Sequence, residues 1–435
     1  MIKIKFLTLI VCVFTLGAVM NACSKQNDTK NGDNNNNADQ YEDNGEDVMD
    51  VQKSHKNGGI LLFDISHSTK GYLEGAAPQF RGVVSQFGRT LNVNKYYLYG
   101  EQPQTIHDDD FFDVLNNGNF KWAKESNLIS MIDFMIGKLN ESAEISCLIT
   151  DGIMSGTNEE ITGTEYNIQS REVLRNRLAS VITKLDSSYS ALIVKYTAPF
   201  KGVYFCYNNA RCNLNCNRPY YAILIGEWEK IKEVEQNLIA GKMDGKNDSF
   251  YKYDDFIMFG DEPSYKKCNF GPMKGISKQN DGSKKFKADN KDSIMFSCKI
   301  SDLQPYMISE AYFNENFKIL KSEYPRDSII RDDHFVTIPR DKYQLRIDEN
   351  IQKAIITFAN SGTSKIIDTY ISRKIIRFEL KYSYPAWIGI FSDDNDLEIE
   401  NKAKKQTQTF NLKYFIEGFR DMNHNKYVIQ TEMKF

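Results

Sequence analysis

The sequence predicts an α/β protein: a doubly wound, mostly parallel sheet, followed by a β-rich, sandwich-like domain with a late helix. Three observations carry that expectation. Between Gly58 and Ala240, short apolar runs alternate with stretches whose apolar residues recur at helical spacing. From Ser293 onward, short β-prone runs follow one another closely, with turn residues between them. At 435 residues, 41% hydrophobic and 26% charged, the chain also has the length and apolar content for two or more packed domains.

Ile60, Leu61, Leu62 and Phe63 form a continuous apolar run ending in Asp64, which suits a strand buried on both faces of a sheet. Pro78 is tolerated in the first turn of a helix, and Phe80, Val83, Val84, Phe87 and Leu91 recur at helical spacing behind it. Tyr96 to Tyr99 reads as a second strand. Leu128, Ile129, Ile132, Met135, Ile136 and Leu139 make an amphipathic helix, and Ile145 to Thr150 a third strand. Val173 to Leu185 is again helical, Ala191 to Tyr196 again a strand, and Tyr221 to Ile225 leads into a helix at Glu227 to Ala240. Ligands of open α/β sheets bind at the edge formed by the carboxyl ends of the strands. Residues 58–240 are therefore the expected site-bearing domain. Residues 241–292 are polar and glycine-bearing and read as an irregular connector. Residues 293–435 hold the runs SIMFSCKI, FVTIP, YQLRI, AIITF and KIIRFELKY, then a helix over Phe410 to Phe419 with Thr409 as its N-cap, and a last strand at Tyr427 to Phe435.

Ahead of Gly58 the texture differs. Lys3 and Lys5, the apolar stretch Phe6 to Met20, and then Asn21, Ala22 and Cys23 have the layout of a secretory signal over residues 1–22. The apolar stretch is shorter than the roughly 18 to 20 residues that cross a bilayer. Cys23, following a small residue, resembles the lipid-modified cysteine of bacterial lipoproteins; cleavage leaving a free Cys23 is the alternative. Residues 23–57 are nearly free of large apolar side chains and rich in Asn, Asp and Gly, so they read as a disordered tether with a reach of roughly 30 Å. The expected location is the bacterial cell envelope, on the outer membrane or the cell surface, held by the lipid.

Lys and Arg number 55 against 58 Asp and Glu, for a formal net charge of −3, so nothing favours a nucleic-acid partner. The chain has no GxSxG nucleophile elbow, GxxxxGK[ST] phosphate loop or HExxH zinc helix. An enzyme is not expected, and a metal-dependent hydrolase would have only His67 or Asp108 to Asp110 to serve as a base. Of the cysteines, Cys147 lies inside the apolar third strand and reads as a buried thiol. Cys206, Cys212 and Cys216 crowd what reads as a loop. In an exported chain disulfides are the ordinary state, and Cys268 with Cys298 plus two of those three is the expected pairing.

The sharpest local signal is Asp64-Ile65-Ser66-His67-Ser68 at the end of the first strand. Its spacing places the oxygens of Asp64, Ser66 and Ser68 on one short loop, the hard-ligand chemistry that Mg²⁺ or Mn²⁺ requires. Asp151 closes the third strand, and in a parallel sheet both strand ends face the same edge. Ser126 and Asn127 open the helix that feeds that strand. Asp108 to Asp110 follow the second strand and are expected near the same edge, where they could tune the field around the ion or bind a second one. Each piece has a plainer reading: Asp64 as a turn cap, Ser126 as a helix N-cap, Asp151-Gly152 as a turn dipeptide, and Asp108 to Asp110 as a solvated loop, the favoured reading of those three.

This set, over residues 58–240, resembles the von Willebrand factor A domain and its metal-ion-dependent adhesion site. The resemblance implies a recognition domain in which Ser66 and Ser68 touch the ion directly, Ser126 is the best match to the family's middle ligand, and Asp64 and Asp151 hold the ion largely through water. It also implies a protein partner whose exposed carboxylate completes the coordination. The family usually carries Thr where Ser126 stands, Gly where His67 stands and Met where Thr69 stands. A metal-free docking subunit of an envelope or surface complex is the alternative function.

Overall fold

The computed structural model describes residues 58–435 apart from 75–77, 125, 154–165, 207–210, 244–245, 250, 261–268, 275, 279–283, 287–292, 324–333, 360–373, 395–401 and 424–426. The signal segment, Cys23 and its tether, and Cys268 lie outside the described residues.

The first described strand is β1, Gly59–Asp64, all six residues of which are buried. Alternate side chains leave it for opposite faces: Leu61 and Phe63 enter one core, Ile60 and Leu62 another. After it come α1 (Lys70–Glu74), α2 (Pro78–Thr90), β2 (Val93–Tyr99), β3 (Pro103–Ile106) and α3 (Asp108–Asn117), then α4 (Leu128–Glu141), β4 (Ile145–Thr150) and α5 (Tyr166–Ile182). β5 (Tyr189–Phe205), β6 (Arg211–Glu227) and α6 (Trp228–Ala240) follow. Phe80, Val83, Val84 and Phe87 of α2 are fully buried with α3 and α6 on one face of the sheet. Each side chain so buried contributes roughly 1.5 to 3 kcal/mol. Leu128, Met131, Ile132, Met135 and Leu139 of α4 cover the other face with α5.

The sheet has seven strands in the order β3-β2-β1-β4-β6-β5 and then an edge strand, Asp255–Phe259. Its β2-β1-β4 centre is parallel, as expected. Beyond β4 the expectation of a mostly parallel sheet gives way: β6 pairs antiparallel with β4, β5 with β6, and the edge strand with β5. The sheet is therefore mixed, because β6 returns from a long hairpin and takes the place beside β4. Residues 241–292, expected as an irregular connector, thus supply a strand to this sheet.

Only the inner halves of β5 and β6 lie within the sheet. From Thr197↔Pro219 out to Phe205↔Arg211 the two continue as a two-stranded arm. Cys212 and Cys216 stand on this arm and Cys206 just past its first strand, so the expected cysteine loop is a strand pair. The run Cys212-Asn213-Leu214-Asn215-Cys216 alternates apolar and polar residues, with Cys212 and Leu214 buried. Cys147, Cys212 and Cys216 are free thiols, and no disulfide is present among the described residues.

The β-rich part forms two four-stranded antiparallel sheets. Gly271–Lys274, Ser293–Lys299, Lys353–Ala359 and Gln344–Asp348 make one; Phe335–Thr337, Phe317–Ser322, Ile375–Lys381 and Tyr427–Lys434 make the other. Phe296 and Phe358 from the first share a core with Phe317, Phe378 and Ile429 from the second. The late helix is shorter than expected, Leu412–Glu417, and Thr409 is not its cap. Asn411, with φ of 57°, turns the chain into the helix, while Thr409 lies in a short strand and shares a hydrogen bond with Tyr221 (Oγ1 to OH, 3.0 Å). Trp387, Leu412, Phe415 and Phe419 join the core on the α4 and α5 face of the large sheet.

Candidate metal centre

β1 and β4 are direct parallel neighbours, in register at Phe63↔Ile149, so their carboxyl ends deliver Asp64 and the Thr150-Asp151 pair side by side. The turn after β1 is held from outside: His67 N–H donates to the Ala123 carbonyl at 2.9 Å, and Ala123 N–H to the Ile65 carbonyl at 2.8 Å. That pairing brings the chain of Ser126 alongside Asp64.

Asp64 is fully buried and saturated with donors. Its Oδ1 accepts from Ser66 N–H at 2.9 Å, and its Oδ2 accepts from Thr150 Oγ1 at 2.7 Å and Ser126 Oγ at 3.1 Å. Ser66 Oγ lies 2.9 Å from Ser68 Oγ and 3.2 Å from Thr69 Oγ1. Asp151 Oδ1 accepts from Ile153 N–H at 3.1 Å, and its carboxyl also takes a hydrogen bond from Ser68. Burial raises the Asp64 carboxyl above its ordinary range, with the donated hydrogen bonds acting in the opposite direction. Burial and then the neighbouring Asp64 charge push Asp151 up to about 7, against the pull of the Ile153 amide, Arg218 and Ser68.

All five expected site residues therefore gather at one sheet edge. Two of the plainer readings are part of the picture, since Asp64 and Asp151 each cap their own turn. The third fails: α4 is capped by Asn127, whose side chain accepts from Ser130 N–H at 3.1 Å, which leaves the Ser126 hydroxyl for Asp64. His67 turns its ring toward Phe205 (6.0 Å between centroids), and burial followed by Lys70, Arg211 and Lys124 lowers its proton affinity. Asp108 to Asp110 are not at this edge. β3 reverses the direction of β2, so these acids open α3 at the far end, exposed and matched to the helix dipole.

Three groups that sequence reasoning missed complete the site. Thr150 holds Asp64, and Thr69 holds Ser66. Arg218, on the arm, is 1% exposed beside Asp151. The only local sign of the first is its place, a hydroxyl ending a strand buried throughout and standing directly before Asp151; nothing local marks the other two.

The donor chemistry suits a hard divalent cation such as Mg²⁺ or Mn²⁺. Two carboxylates stand with serine hydroxyls, and the 2.9 Å between Ser66 Oγ and Ser68 Oγ matches the edge of an octahedron with bonds of about 2.05 Å, roughly 2.9 Å. Among the described residues there is no cluster of three or more His, Cys, Asp or Glu side chains able to hold a metal, so any ion here would rest on hydroxyls as much as on acids. The five residues are closed in: Asp64 is 0% exposed, and Ser68, the most open, 8%. The arm forms the wall, with Phe200 against Gly71 and the Tyr72 hydroxyl donating to the Pro219 carbonyl.

Comparison with protein-family models, with curated proteins and with solved structures finds no match. No helix among the described residues is long and apolar enough to cross a membrane.

Proposed function

We propose that this chain is a lipid-anchored lipoprotein of the bacterial cell envelope, held through Cys23 on the outer membrane or the cell surface. Its α/β region is a von Willebrand factor A-like recognition module. Asp64, Ser66, Ser68, Ser126 and Asp151 hold Mg²⁺ or Mn²⁺, and a protein partner is recognised through an exposed carboxylate. The observation that carries this reading is the convergence of two fully buried strand-end carboxylates with three serine hydroxyls at one sheet edge. A bound divalent ion supplies an electrophile that accepts an outside oxygen. The protein's part is orientation: Thr150, Ser126 and the Ser66 amide fix the Asp64 carboxylate, and Asp64 in turn holds the Ser126 hydroxyl toward the site. The approach is on the Ser68 side, where the site is least covered.

The rival reading is a metal-free docking subunit of an envelope or surface complex. It is favoured by the three donors that already satisfy Asp64 and by the Arg218 guanidinium near Asp151. Isothermal titration of Mg²⁺ and Mn²⁺ into the wild type and Asp64→Ala separates the two. The cation reading expects binding that Asp64→Ala abolishes; silence from both proteins overturns it in favour of the rival.

A further inference from the structure

The buried guanidinium of Arg218 is the group that the site's chemistry has not yet used. β6 pairs with β4 up to Thr150↔Tyr221, so one step further Asp151 stands opposite Tyr220. Arg218, two residues along, faces the same side of the sheet as Tyr220 and is the diagonal neighbour of Asp151, within reach of a long side chain. Its guanidinium carbon sits 4.6 Å from the Tyr204 ring centroid and 5.5 Å from that of Phe200. Nη1 and Nη2 are buried and meet no acceptor at full hydrogen-bond geometry, with the Tyr72 hydroxyl the polar group alongside the guanidinium. Lys405 also approaches the Tyr204 ring, at 5.1 Å, and has interactions of its own. A buried cation with unused donors is costly unless an anion faces it. Tyr72 and Tyr204 act on the guanidinium, and the carboxylate that acts on it is Asp151.

We propose that Arg218 is the resident counter-charge of this acidic pair and sets the net charge of the site. This rests on the cation-site reading above and extends it to partner choice. With both acids ionised, two carboxylates and one guanidinium leave a single negative charge, and a divalent ion, whose binding displaces any proton on the acids, converts that to a single positive one. The filled site is then cationic as a whole, which is what draws an acidic group from a partner. Arg218 lowers the affinity for the ion in the same act, because it opposes the ion's charge.

The test compares the full-length wild type with Arg218→Met, which keeps the length of the side chain among the aromatic rings, and Arg218→Lys, which keeps the charge. Mn²⁺ affinity is read by calorimetry. Urea stability in EDTA is read for Arg218→Met, Asp151→Asn and the double variant. The proposal expects Arg218→Met to bind Mn²⁺ about tenfold more tightly or better, Arg218→Lys to stay near the wild type, and the two single substitutions to be non-additive in stability. Additive stabilities, or an Arg218→Met affinity equal to or weaker than the wild type, overturn it. If every variant is silent to Mn²⁺ while the stabilities remain non-additive, the counter-charge stands and the cation reading fails. If Mn²⁺ binds all variants equally with additive stabilities, the cation reading stands and this proposal fails.

Discussion

Raising the pH of the metal-free protein should cost it stability through Asp151, and the size of that loss can be worked out. The Asp151 carboxyl ordinarily titrates near 3.8 and is pushed up to about 7 by burial and the Asp64 charge. The folded protein thus keeps a proton that the unfolded chain gives up. The stabilisation is complete below the ordinary value and is lost as the pH climbs through about 7. Some three pH units at 1.36 kcal/mol each give up to about 4 kcal/mol. Asp64 shifts in the same direction and adds to the effect. Carboxylates elsewhere contribute with the opposite sign, so the measurement is a difference: urea unfolding of the wild type and Asp151→Asn in EDTA, from pH 4 to 7.5. Asp151→Asn, which cannot ionise, should gain on the wild type as the pH rises, by as much as that figure. Saturating Mn²⁺ should cancel the wild-type loss at neutral pH, since the ion binds the ionised pair, and one hundred times its dissociation constant adds about 2.7 kcal/mol. Parallel pH profiles for the two proteins in EDTA would refute the reasoning, because Asp151 would then be ionised in the folded state.

Other substitutions probe the supports around the site. Thr150→Val removes the 2.7 Å bond to Asp64 and the acceptor of Gly152 N–H, and should cost about 2 to 3 kcal/mol in urea unfolding, with Thr150→Ser near the wild type. Gly71→Ala places a Cβ 2.3 Å from the Phe200 ring, so it should cost about 1 to 3 kcal/mol, and trimming the ring with Phe200→Leu should recover part of it. Cys23→Ala should move the protein from the membrane to the soluble fraction; unchanged fractionation would count against the lipid anchor.

How much of this was legible in the sequence depends on what each signal encodes. β1 and β4 are buried on both faces, so they appear as unbroken apolar runs, and each ends at the acid that its neighbour's acid meets. α2 and α4 show their buried faces directly as helical spacing. The direction of β6 leaves no such trace: an apolar strand reads alike whichever way it runs, so only the hairpin decides that it lies antiparallel to β4. The arm was hidden by its asparagines, which are poor strand formers, although Cys212, Leu214 and Cys216 alternate as a strand should. Asp108 to Asp110 were misplaced because β3 was not foreseen, and a hairpin carries whatever follows it to the opposite edge. Within the site, the spacing of Asp64, Ser66 and Ser68 was visible because it is local. Arg218 was not, because its approach to Asp151 exists only through the register of two strands distant in sequence.

The position of β6 also constrains how the large sheet can assemble. β5 precedes it in the chain, yet its neighbours in the sheet are β6 on one side and the Asp255–Phe259 edge strand on the other. β5 therefore has no native place on the β2-β1-β4 centre until the seventeen residues of β6 are present, and the hairpin of the two is the unit that completes the sheet. Such a hairpin is a local structure that closes in microseconds, whereas its docking is the long-range step. The wall of the site and its buried arginine then come into place in the same event that completes the sheet, so the acidic pair is enclosed only once the hairpin has docked.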